Sequence, residues 1–149
     1  MSDDEYDLPA DAKQYVDTET FEQILEMDDG DPDRDFSKGL VEGFFEQAEN
    51  TFDNMDTDLQ NKNLLGLSAL GHFLKGSSAT LGIYKVRDHC EKIQNWGAMK
   101  DATGLKPLPD EETALKLIAE IIPEMKEDYD SAKNWLEKYF QSNPLAPEE

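Results

Sequence analysis

A single cysteine, Cys90, is all that this 149-residue chain carries, which excludes an intramolecular disulfide and suits a reducing compartment. Basic residues are scarce. Fourteen Lys and Arg stand against 34 Asp and Glu, a formal charge of −20. Nucleic-acid binding and adhesion to an anionic membrane both need clustered cations, so no nucleic acid and no membrane is expected among the partners, and proteins or cations remain. There are two histidines, too few for a metal cluster with the lone cysteine. No Gly-rich nucleotide loop is present. No apolar run approaches the roughly 20 residues of a membrane-spanning helix. Met1–Asp7 has neither the basic nor the apolar region of a secretory signal. The expectation is an intracellular protein with one domain.

What is present is helical periodicity, without strand-like alternation or internal repeat. Residues 1–16 are acidic and aperiodic and read as a flexible tail. A short helix follows over Thr18–Met27, with Asp17 as N-cap and Phe21, Ile24 and Leu25 as its apolar face. Gly30 and Pro32 break it in an acidic turn. A second helix is predicted over Phe36–Asn61 on Leu40, Phe44, Ala48, Phe52, Met55 and Leu59. A third spans Leu64–Leu81, stopped by Gly82. A fourth spans Lys85–Met99 on Val86, Cys90, Ile93 and Gly97.

After a loop at 100–109, Asp110 opens the last helix, whose apolar residues from Leu115 to Tyr139 keep the 3-4 spacing of a bundle seam. Pro123 is expected to kink or divide it. The fold class is therefore all-α, an antiparallel four-helix bundle over 17–141 with the short first helix packed outside, and 142–149 as a flexible tail.

His72 does not fit the packing pattern. At about 100° per residue, Leu67, Leu70, Leu74, Ser78 and Leu81 fall in one arc of the third helix, and His72 points roughly 160° from its centre. An outward imidazole with Lys75 three residues on and Gly76 one turn on is explained by chemistry at the ring better than by packing. His89 lies near the edge of its helix's core stripe and reads as a boundary residue, and Cys90 reads as a small core residue. The aspartates at 31, 33 and 35 mimic the start of a calcium loop, but position six is Phe36 where an EF-hand requires Gly. A solvated turn capping the second helix is the better reading.

The string His72-Phe73-Leu74-Lys75-Gly76-Ser77-Ser78 resembles the signature of the histidine-containing phosphotransfer (HPt) family. Met27-Asp28-Asp29, Asp35-Phe36-Ser37-Lys38-Gly39-Leu40 and Cys90-Glu91-Lys92-Ile93-Gln94-Asn95 resemble the fungal osmosensing phosphorelay intermediates of that family. The resemblance implies a relay. The receiver domain of a hybrid sensor histidine kinase passes a phosphoryl group from its aspartate to His72, which passes it to the receiver of a response regulator. It implies a carrier without kinase activity or cofactor of its own, since the receiver supplies Mg²⁺ and the acidic pocket.

His72 is then the phosphoacceptor, reacting through the exposed ring nitrogen, most plausibly Nε2. Lys75 offsets phosphoryl charge. Gly76 leaves room for the receiver's loops, while Gln94 hydrogen-bonds the imidazole or a phosphoryl oxygen. Ser77 helps to position either group. Ile24, Met27, Phe36, Leu40 and Phe73 are expected to form an apolar docking patch with Asp28 and Asp29 at its rim. For Ile24, Met27, Phe36 and Leu40, plain packing of the first helix on the bundle is an equal alternative. A monomer working in cytoplasm and nucleus is expected. The competing reading is a non-phosphorylated helical adaptor using the same patch.

Overall fold

A computed structural model describes residues 8–31 and 33–142. It contains five α-helices, α1 (Thr18–Glu26), α2 (Asp35–Gln60), α3 (Leu64–Leu81), α4 (Tyr84–Gly97) and α5 (Glu111–Ser142). The α2–α3, α3–α4, α4–α5 and α2–α5 faces pack in turn, closing an antiparallel four-helix bundle, with α3 and α4 the most intimate pair. The core is the expected seam, from Ile118 through Met125 and Leu136 to Tyr139 on α5, against Phe44, Ala48, Phe52 and Met55 on α2. Leu40, Leu59, Leu70 and Leu115, placed in the stripes by periodicity, are only half-buried. Val41 and Phe45 fill the core beside the start of the α2 stripe instead.

Helix ends follow their local chemistry. Asp17 caps α1 by accepting from the backbone N–H of Glu19 and Thr20, and Gly82 takes the left-handed conformation (φ 77°) that stops α3. The last helix is not divided, for Pro123 lies within α5. Pro123 and Ala119, whose carbonyl loses its partner N–H, are both exposed, on the side of the helix where a carbonyl can turn to solvent.

The N-terminal segment corrects the expectation of a loose tail up to residue 16. Residues 8–17 cross the α3–α4 turn and reach α5, with Ala12 and Val16 fully buried. Asp17 N–H donates to Gly82 O at 2.7 Å, and Tyr84 Oη donates to Lys13 O at 2.6 Å. Trp135 Nε1 donates to Asp11 Oδ1 at 3.1 Å while its ring stacks on Tyr15. The acids of the expected tail cluster at positions 3–7, whereas here Ala12, Tyr15 and Val16 supply the apolar contacts. Ser142, expected to begin the C-terminal tail at 142–149, is the last residue of α5, and residues 1–7 and 143–149 of the expected tails lie outside the described residues.

An ionic network joins α2 to α5. Lys133 Nζ and Tyr129 Oη each donate to Glu49 Oε2 at 2.7 Å, and these bonds hold the Glu49 carboxyl below its ordinary value of 4.5. A depressed carboxylate pKa stabilises the fold above that value and loses its contribution as pH falls through the lower, folded one. The Glu49→Gln variant should therefore lose stability near neutrality and show a flatter acid limb in a profile of Tm against pH.

Candidate phosphoacceptor site

The site is built on α3, an 18-residue helix containing one formally charged side chain, Lys75, and no acid. His72 is exposed on its outer face, as periodicity requires. Two glycines set the helix against α4. A Cβ on Gly71 would lie 2.8 Å from Cys90 O and 2.9 Å from Gln94 N, and one on Gly97 would lie 2.7 Å from Ser68 N. Only glycine permits so close an approach of backbones. Ser68 Oγ reinforces it by donating to Gln94 O at 2.8 Å.

Gln94 is consequently held with its backbone against the residue preceding His72. Its side-chain oxygen is buried without a hydrogen-bond partner among the described residues. Lys75, half-buried, lies on the same flank, close enough for its charge to act on the Cys90 thiol. Burial nevertheless pushes that thiol up to about 12, leaving Cys90 protonated and inert, the core residue expected.

The other flank faces α2. Ser77 Oγ donates to Gln47 Oε1 at 3.2 Å and approaches Phe73 O at 3.5 Å. It thus ties α3 to α2 in this state, in place of the expected role beside the imidazole. A shallow groove of about 220 Å³ runs there between the helices, floored by Gly39, Gly43, Leu40 and Phe44. At Gly76 a Cβ would meet nothing within 4 Å, so nothing inside the bundle requires glycine there. Gly76→Gln should therefore fold normally, and if the open space is kept for a partner it should slow receiver-dependent phosphorylation of His72 by about tenfold, a steric cost of roughly 1.4 kcal/mol. Unchanged rates would end the clearance argument.

The predicted docking residues divide into two groups. Met27, Phe36 and Phe73 are exposed by 60%, 46% and 49%, Asp29 is exposed and Leu40 half-buried. Ile24 and Asp28 are each only 5% exposed, so the packing alternative holds for Ile24 and the rim role expected of Asp28 is corrected. Ile24 turns inward beside Phe21 and Leu25 because all three share the one face that α1 presents to the bundle.

Asp28 is a structural anchor and not a rim charge. It accepts from Ser37 N–H at 2.8 Å and Ser37 Oγ at 2.7 Å, and Asp31 accepts from the N–H groups of Asp33 and Asp35. The acidic turn thereby satisfies the free donors at the start of α2. Arg34, in left-handed conformation (φ 54°), locks the turn to α5 by donating to Tyr139 Oη at 2.9 Å. Removing both Asp28 bonds in Asp28→Ala should cost about 2 kcal/mol, read from the urea midpoint.

The other histidine is engaged elsewhere, His89 Nε2 lying 2.8 Å from Asp128 Oδ2 between α4 and α5. The site is therefore one exposed imidazole, flanked by a lysine and a glutamine on one side and by a glycine-floored groove on the other. Residues 39–135 match the Hpt domain.

The chain belongs to the Hpt domain family.

This Hpt protein is 45% identical over 131 residues to multistep phosphorelay regulator 1 of Schizosaccharomyces pombe, covering 88% of this chain and 44% of the relative. It is 53% identical over 76 residues to the phosphorelay intermediate protein YPD1 of Saccharomyces cerevisiae, covering 50% of this chain and 44% of that one. The Hpt chain thus spans less than half the length of these relatives. Its fold is that of the yeast YPD1 crystal structure, with a TM-score of 0.75 at 32% identity over 87% of this chain and 96% of that one. It also matches the S. cerevisiae Ypd1 co-crystallised with the receiver domain of its downstream response regulator Ssk1, with a TM-score of 0.74 at 35% identity, covering 87% of this chain and 96% of that one. No helix among the described residues is long and apolar enough to cross a membrane.

Proposed function

We propose that this Hpt protein is the histidine phosphotransfer intermediate of a multistep phosphorelay, taking a phosphoryl group from the receiver aspartate of a hybrid sensor kinase onto His72 and passing it to the receiver aspartate of a response regulator. The observation that carries this reading is the exposed His72 on an acid-free helix, in the fold of a relative that binds a receiver domain.

In the first transfer a ring-nitrogen lone pair of neutral His72 forms the N–P bond. The acyl-phosphate P–O bond breaks and returns the receiver's aspartate as carboxylate, while the imidazole proton stays on the other ring nitrogen. The second transfer reverses these steps on a new carboxylate. Phosphoryl transfer asks for positioning and charge neutralisation more than for covalent help. Lys75 supplies charge, and Gln94, with its unmatched side-chain oxygen, receives the proton-bearing nitrogen of the ring. Divalent metal belongs to the receiver, and α3 offers no carboxylate to compete for it. Met27, Phe36, Leu40 and Phe73 provide the apolar contact, with Asp29 at its edge.

The protein works as a monomeric carrier without kinase activity of its own, in cytoplasm and nucleus. The test is to mix it with the phosphorylated receiver domain of a hybrid sensor kinase and Mg²⁺. The expected product carries an acid-labile, alkali-stable label, the behaviour of phosphohistidine. A folded protein that bound the receiver without acquiring label would be an adaptor.

A further inference from the structure

We infer that the receiver's contact surface runs along α3 on the N-terminal side of His72, with Leu65 as its outer apolar anchor. This rests on the relay reading above. Of the five large apolar side chains exposed among the described residues, Met27, Phe36 and Phe73 belong to the patch already described, leaving Leu65 and Leu105, exposed by 81% and 84%. Leu105 lies in the loop between α4 and α5, whose Gly104 sits against Asn95. Leu65 is different, because it shares a helix face with the phosphoacceptor.

At 3.6 residues per turn, Leu65, Ala69, His72, Gly76 and Ala79 fall within roughly 80° of the α3 circumference. All five are exposed. In a chain with 34 acids, this solvent-facing stripe contains none, whereas exposed helix faces are ordinarily laced with charge. The first turn of a helix is also where acids are stabilising, and α3 has none there.

Size and charge then identify the occupant. Leu65 precedes His72 by seven residues, about 10.5 Å along the axis. A standard interface covers about 800 Å² per partner, a disc of about 16 Å radius. A receiver centred on His72 therefore covers Leu65 unless it is displaced wholly to the opposite side. A receiver also presents a carboxylate-rich pocket, which a chain of charge −20 repels over most of its surface. The stripe itself carries no acid, the carboxylate of Asp58 lying to its side at Gly66, and Leu65 gives it apolar area at the end remote from Met27 and Phe36.

The test compares Leu65→Glu with Leu105→Glu, which adds the same charge at an equally exposed leucine off the stripe. Phosphorylation of His72 is measured from the phosphorylated receiver domain of a hybrid sensor kinase and, separately, from phosphoramidate, a small donor that needs no docking. The inference expects Leu65→Glu to lower receiver-dependent transfer about tenfold, with phosphoramidate labelling and the Leu105→Glu protein within twofold of wild type. Wild-type transfer rates in Leu65→Glu would overturn the inference and leave the relay intact. Equal losses in both leucine variants, or with both donors, would also overturn it, by assigning the effect to net charge or to the fold. Failure of the wild type to accept phosphoryl from the receiver, with phosphoramidate labelling intact, would remove the relay reading and this inference with it.

Discussion

Replacing His72 with Gln should reduce phosphoryl acceptance from a phosphorylated receiver to background, a loss of more than about a thousandfold, because the nucleophile itself is gone. His72 is exposed and carries no part of the core, so thermal and urea unfolding should stay within about 0.5 kcal/mol of wild type. Receiver binding should persist, since Met27, Phe36 and Phe73 are untouched. The other histidine offers no substitute, as His89 is held against Asp128 between α4 and α5. Acid-labile label retained in His72→Gln would move the acceptor to another residue and sink the assignment.

The second large effect is expected at Gly71. In Gly71→Val the new Cβ meets two backbone atoms, Cys90 O at 2.8 Å and Gln94 N at 2.9 Å. Neither can swing aside as a side-chain tip would, so α4 must move bodily away from α3. Overpacking of this kind should cost about 3 kcal/mol, seen as a lower urea midpoint. The displacement also withdraws Gln94 from the residue next to His72, so receiver-dependent transfer should fall in the molecules that remain folded. Gly76→Ala supplies the contrast, being free of contacts within the bundle. It should raise stability by about 0.5–1 kcal/mol through helix propensity alone. If Gly71→Val were as stable as wild type, the close approach of α3 and α4 would not be what fixes the site.

Legibility along this chain depended on how local the determining physics is. Helix limits came through to within two residues, because caps and breakers such as Asp17 and Gly82 act on their own turn. The outward face of His72 was legible because periodicity orients every residue of a helix relative to its core stripe. Asp28 was misplaced, and Ile24 left between packing and docking, for one reason: a short amphipathic segment does not reveal which of its polar and apolar groups meets another element. Ser37, nine residues on, decides Asp28, and the end of the bundle decides Ile24. Residues 8–16 misled because they are short and aperiodic and follow the acidic run at 3–7, which conceals the contacts of Ala12, Tyr15 and Val16 with distant helices.

The sequence by itself determined an all-helical bundle, an outward-facing histidine and the family to which the chain belongs. Each follows from spacing, composition or a contiguous string. Tertiary structure alone decided that Gly71 and Gly97 bring α4 against α3 at the site. It also decided that Ser77 is tied to Gln47, and that Gly76 is free of every neighbour in the bundle. Those facts depend on separations between backbones from different helices, and a pattern along one chain does not encode a distance across it.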